Sequence, residues 1–255
     1  MRFPRRVSVV EGARSIFLEG SREKCALLIH GFTGTPIGMR YIAEGLNEKG
    51  WTVHVPRLPG HGTSSEDFAR SGARDWIRRS YDAFLDLKST CEGKLYVGGL
   101  SMGGIIAVIL GDLFEVERLA LYAPAFYTVW QRYKPLVYLM SFFKEKKRKD
   151  IDIEEEDPAM RKLWQEYWIY NWYGRGREFF KVQSIGLRHL KSLRSKTLII
   201  VSKKDTSVPI KVLDVMKGKM KVDPKVVILE KSGHVVTNDV EKDVVLKETL
   251  EWFES

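Results

Sequence analysis

"YVGGLSMGGIIAVILG", residues 96–111, decides the fold. Its first half completes a short apolar run, "KLYVGG" (94–99), and its second half continues through Met102–Leu113, an apolar stretch of helical length. A strand apolar on both faces that turns at once into an apolar helix belongs in the interior of a parallel sheet, covered on both sides. One hydroxyl, that of Ser101, stands at the turn, with Gly99 and Gly103 two residues to either side.

The same pattern repeats outward from this unit. "CALLIHG" (25–31), "WTVHVP" (51–56), "RLALYAP" (118–124), "KTLIIVS" (196–202) and "KVVILE" (225–230) are short runs rich in Val, Ile, Leu and Tyr, which predicts strands. Between them the apolar spacing predicts helices over Pro36–Lys49, Ala73–Ser89, Met102–Leu113, Ile210–Lys217 and Glu241–Phe253. Strand alternating with helix means an α/β fold with a mostly parallel central sheet and helices on both faces. "RRVSVVEG" and "RSIFLEG" at the N-terminus read as an antiparallel pair extending one edge. The alternation fails between Ala125 and Ser195, where no strand is expected. That stretch holds Trp130, Trp164, Trp168 and Trp172, the last three at helical spacing in "RKLWQEYWIYNWYG". It is read as a helical lid, 125–195, inserted into a core made of 1–124 and 196–255. Its aromatic residues have two uses open to them: cementing the lid to the body, or lining an apolar substrate pocket.

Composition narrows the class. With 255 residues, 44% hydrophobic and 29% charged, the chain is that of a single folded domain. No apolar h-region follows the basic N-terminus, so a cytoplasmic location is expected. The longest uncharged run, Leu95–Gly111, is shorter than the about 20 residues a membrane span needs. The net charge of +9 is spread along the chain and interleaved with acids, which favours a solvated surface over nucleic-acid binding. The one sharp block, "KEKKRKDIDIEEED" (144–157), reads as an exposed loop or helix end. Cys25 and Cys91 lack metal spacing and read as free thiols in a reducing compartment. Only three Asn and three Gln, beside abundant Lys, Arg and Glu, suggest a thermophilic source.

Gly99-Leu100-Ser101-Met102-Gly103 fits G-x-S-x-G between a predicted strand and a predicted helix, the context in which a sharp turn holds a serine exposed and strained. A serine hydroxyl is a weak nucleophile, so it needs a base within reach and a group to orient that base. Among the five histidines, His234 in "LEKSGHVVTND" follows the last predicted strand and shares the carboxyl edge of the sheet with Ser101. His30, His54, His61 and His189 read as structural. Asp205 in "VSKKDTSVP" lies beyond the strand 196–202 and is the candidate acid; its rival Asp223 precedes a strand, at the wrong end of the sheet. The backbone N–H groups of Phe32, in "HGFTGTP", and Met102 are the candidate donors to a developing oxyanion.

Taken together, "LLIHGFTGTP", "PRLPGHGTSSEDF", "GLSMGG", "VSKKDTSVP" and "SGHVVTND" resemble the α/β-hydrolase superfamily, and within it the bacterial carboxylesterase and monoacylglycerol lipase group. The resemblance implies Ser101, Asp205 and His234 as a catalytic triad, Phe32 and Met102 in the oxyanion hole, and hydrolysis of carboxylic esters without a cofactor or metal. Phe32, Trp130, Leu136, Leu139, Met140, Trp164 and Trp168 are the expected pocket wall, suited to short- to medium-chain acyl groups or monoacylglycerols. Expected partners are small-molecule esters, with neither nucleic acid nor stable membrane insertion. Thioester or amide hydrolysis by the same triad, and a non-catalytic protein binding lipid or membrane surfaces on this scaffold, stay open as alternatives.

Overall fold

The computed structural model of the chain describes Pro4, residues 7–114 and residues 116–255. In chain order its body begins with β1 (Ile16–Leu18), β2 (Ser21–Ile29), α1 (Ile37–Asn47), β3 (Trp51–Val55), α2 (Ser65–Phe68), α3 (Ala73–Thr90), β4 (Lys94–Leu100), α4 (Met102–Phe114) and β5 (Arg118–Tyr122). A 3-10 turn (Val129–Tyr133), α5 (Lys134–Met140), β6 (Lys146–Arg148), α6 (Pro158–Leu163), a π-turn (Trp164–Trp168), β7 (Tyr170–Trp172) and α7 (Tyr173–His189) come next. The body resumes with β8 (Lys196–Ser202), α8 (Val212–Lys217), β9 (Lys225–Leu229) and α9 (Lys242–Glu254).

Seven strands form one sheet in the order β1-β3-β2-β4-β5-β8-β9, parallel throughout except for β1. Parallel strands joined by right-handed crossovers bring their carboxyl ends to a single edge, where loops can converge. The central strands are buried along nearly their whole length, as their unbroken apolar runs require. Met39, Ile42 and Leu46 of α1 pack with Val245 and Phe253 of α9 on one face. The other face is covered by α3, α4 and α7, where α4 is buried from Met102 through Gly111.

Four expectations are corrected. The N-terminal segments do not pair with each other: β1 runs antiparallel to β3, matching Ile16 with Val55 and Leu18 with Val53, while residues 7–10 form no strand. Arg5 and Arg6 of the expected first strand lie outside the described residues. The stretch between β5 and β8 does contain strands, since β6 and β7 pair antiparallel, Lys146 opposite Trp172 and Arg148 opposite Tyr170. "KKR" carries no apolar alternation; the pairing is held by aromatic partners, with Lys146 Nζ 3.9 Å from the Tyr170 ring centre and 5.0 Å from that of Trp172. For the same reason Trp164, Trp168 and Trp172 do not share one helix face, because the chain passes from a π-turn into β7 before Trp172. Finally, Cys25 and Cys91 are joined in a disulfide that ties β2 to the end of α3. Their sequence separation of 66 gave no hint of the pairing.

Candidate active site

β4 ends at Leu100 and α4 begins at Met102, so Ser101 alone makes the turn. It does so at φ +56°, the left-handed region that costs a residue with a Cβ. Its N–H donates to the Tyr122 carbonyl of β5 at 2.8 Å, and its carbonyl accepts from Ala125 N at 3.1 Å, so neighbouring backbone holds the strained residue in place. The two flanking glycines are required by space. A Cβ on Gly99 would lie 2.2 Å from the Gly103 carbonyl oxygen, and one on Gly103 would lie 2.0 Å from that of Ile29.

His234 follows β9. Its Nδ1 is 2.7 Å from Asp205 Oδ2. An aspartate carboxylate only accepts, so Nδ1 carries a proton, and in the neutral form of the ring the lone pair is on Nε2. The Asp205 side chain is fully buried, and its other oxygen accepts from Ser207 N at 2.7 Å and Val208 N at 2.8 Å. That turn fixes the carboxylate in one orientation. The His234 loop is gripped too: Glu241 Oε2 accepts from Lys231 N at 2.8 Å, Ser232 N at 2.7 Å and Ser232 Oγ at 2.8 Å. Asp239 Oδ2 accepts from Gly233 N at 2.7 Å. Burial would raise the Glu241 pKa, but these bonds outweigh it and hold the carboxyl down at about 2.

The loop after β2 passes close to the serine, since a Cβ on Gly31 would fall 3.1 Å from Ser101 Cβ. It turns tightly, with Gly34 N donating to Gly31 O at 3.1 Å and Thr33 at φ +57°. Among the described residues the Phe32 N–H has no protein acceptor. The Met102 N–H is in the first turn of α4, where helix geometry leaves donors free.

Ser101, His234 and Phe32 share the wall of a cavity of about 550 Å³. Trp130, Leu136 and Trp168 line it. Leu139, Met140 and Trp164 are not among its lining residues: Leu139 is 56% exposed on the outer side of α5, and Trp164 packs edge-on against Trp168 at 5.1 Å. Sequence reasoning missed Phe179 and Phe180 of α7, Tyr133, and the polar Lys149 and Asn171, all in the wall. The adjacent phenylalanines in a predicted helical stretch were a usable signal. Lys149 and Asn171 sit on or beside the unforeseen ribbon β6–β7 and had none.

The other histidines have structural work. His30 is fully buried, donates from Nδ1 to Gly31 O at 3.0 Å and accepts the Leu58 N–H on Nε2 at 3.1 Å. Desolvation brings its pKa down to about 4, so it stays neutral while it braces the Phe32 loop. His61 bonds Pro59 O, and burial likewise holds its pKa well below the ordinary value. His54 packs against Phe17 on β1, and His189 pairs with Asp112 at 2.7 Å. No group of residues suited to hold a metal ion is found among the described residues.

A buried carboxylate paired with an imidazole that shares a cavity with a strained serine, at the carboxyl edge of a parallel sheet, defines a class of hydrolase. The chain belongs to the alpha/beta hydrolase family, whose model matches residues 26–247. It is 30% identical over 255 residues to a thermostable monoacylglycerol lipase of Bacillus sp. (strain H-257), covering 96% of each chain. It is 26% identical over 249 residues to a carboxylesterase of Bacillus subtilis (strain 168), covering 91% of this chain and 93% of the other. A solved structure from work on LipS and LipT, two metagenome-derived lipolytic enzymes, superposes with a TM-score of 0.83 at 26% identity, over 97% of this chain and 99% of that one. A soluble variant of monoglyceride lipase from Saccharomyces cerevisiae shares the fold, with a TM-score of 0.76 at 14% identity over 100% and 96% of the two chains.

Proposed function

We propose that the chain is a serine carboxylesterase that cleaves short- to medium-chain carboxylic esters or monoacylglycerols through an acyl-enzyme on Ser101. The observation that carries this reading is the His234–Asp205 contact of 2.7 Å, with His234 in the wall of the cavity that also holds Ser101. In the proposed sequence His234 Nε2 takes the Ser101 proton as Oγ attacks the ester carbonyl, and returns it to the departing alcohol. Water then enters by the same base, releasing the acid. Asp205 keeps the imidazole in its productive tautomer and stabilises its charged form. The N–H groups of Phe32 and Met102 take the oxyanion, a contribution of roughly 3 kcal/mol for one such donor. Residues 125–195 serve as the lid over this site. The apolar character of the wall and the two curated relatives, named as a carboxylesterase and a monoacylglycerol lipase, support esters as the substrate.

The test is hydrolysis of p-nitrophenyl esters and 1-monoacylglycerols across acyl lengths by the wild type and Ser101→Ala. The wild type is expected to turn over, and the variant to lose at least about a thousandfold in kcat. Equal rates from both would remove Ser101 from the mechanism, and turnover of thioesters or amides alone would reassign the leaving group. A second reading, a non-catalytic protein of lipid surfaces, is favoured by one observation: Phe142 and Phe143 are 75% and 74% exposed beside Lys144. Vesicle co-sedimentation with no ester turnover is the result it requires.

A further inference from the structure

The cavity wall is aromatic far beyond the chain's average. Ten of its 22 lining residues are Phe, Tyr or Trp, against 11% for the whole sequence. Aliphatic side chains larger than alanine number three: Leu136, Val137 and Val208. The rings are also arranged with respect to one another. Phe32, in the loop beside Ser101, meets Phe179 of α7 at 5.4 Å between ring centres and 54° between planes. Phe179 in turn meets Phe180 edge-on at 5.6 Å. Toward the rim, Trp130 and Tyr133 stand 6.2 Å apart at 46°, and Trp130 is 55% exposed. A tilted series of rings therefore starts at the reacting end of the cavity, and a second tilted pair lies in the same wall.

We infer that this cavity selects esters carrying an aryl ring over linear aliphatic esters of the same carbon count. The inference rests on the esterase reading and names the substrate class within it. Two physical arguments support it. A guest ring added to tilted rings gains edge-to-face attraction that an alkyl chain of equal area lacks, about two- to tenfold in affinity for each pair formed. An arylalkyl group also has few rotors to freeze, whereas a linear chain of the same size must order a bond at almost every carbon.

The experiment separates this inference from the esterase reading by measuring binding without turnover. Ser101→Ala protein is titrated, by the fluorescence of its own tryptophans, with ethyl 3-phenylpropanoate against ethyl nonanoate and with 2-phenylethyl acetate against octyl acetate. The aryl member is expected to bind at least tenfold more tightly in one pair, and which pair responds tells whether the acid or the alcohol carries the ring. Equal or tighter binding of the linear member in both pairs overturns the inference. Trp130→Leu, at a half-exposed position of the wall, is expected to cut the ratio of aryl to linear affinity by two- to fivefold; Phe179→Leu, next to Phe32, is expected to cut it further. An unchanged ratio in both variants also overturns it. Hydrolysis of the same esters by the wild type reads the esterase proposal on its own, since absent turnover with an intact binding ratio would leave ring selection standing and remove the chemistry.

Discussion

Ser101 is held at φ +56° by backbone bonds to β5 and to Ala125, at a position glycine would occupy without penalty. The strain is local and removable. Ser101→Gly is therefore expected to be inactive and yet more stable than the wild type by about 1 kcal/mol, read as a higher denaturant midpoint at equal slope. A lower midpoint would mean that the hydroxyl itself supports the fold. Glu241 makes the opposite case, a residue remote from the reaction that fixes the loop carrying the base. Its folded pKa of about 2 lies below the usual carboxylate range, so its stabilisation is complete above that range and is lost as pH falls toward 2. Glu241→Gln should consequently melt lower than the wild type at pH 7, with the gap closing below about pH 4. A gap independent of pH would show that the charge contributes nothing. In the sequence Ser101, Asp205 and His234 were legible because a motif or a strand end marked each, whereas Glu241 and Asp239 carry no mark beyond being acids near a helix start.

At the scale of elements, β3, β4, β5 and β8 were readable to within a few residues, since each is a largely apolar run long enough to bury itself. β6 was not readable, because it is held by Lys146 lying over rings of β7, a partnership that no apolar alternation in "KKR" announces. The tryptophan series misled for a related reason: helical spacing is a property of sequence, while Trp172 is claimed by Phe68, 4.8 Å away in the body. The segment 125–195 is fastened to the body by the packing of α7 and its neighbours into the core and by directed bonds, two groups of which stand beside the cavity. Tyr167 Oη accepts from Thr63 N at 2.7 Å and donates to Gly60 O at 2.9 Å, and Trp168 Nε1 donates to Thr33 O at 3.2 Å beside the Phe32 turn. Tyr167→Phe leaves a buried N–H without its acceptor and should cost about 1–3 kcal/mol. Hydrogen exchange through 160–172 should quicken and KM for esters rise, while kcat changes little. An unaltered exchange pattern there would show that the Tyr167 hydroxyl does not hold the segment.

For the molecule as a whole, the site lies at the carboxyl edge of the sheet and the Cys25–Cys91 disulfide joins β2 to the far end of α3. Closing a loop of this length restricts the unfolded chain and is worth about 4 kcal/mol in the entropic account. Cys25→Ser combined with Cys91→Ser is expected to lower the melting temperature substantially and to leave kcat unchanged at 25 °C. A loss of kcat at that temperature would mean that the bond shapes the site. No helix among the described residues is long and apolar enough to cross a membrane.

The disulfide also makes the protein's history part of its chemistry. A reducing host delivers two thiols where an oxidising one delivers a crosslink, so one gene is expected to yield two materials that differ in endurance. Batches made in different hosts would age at different rates on the bench, and a melt taken with and without reductant identifies which material is in the tube.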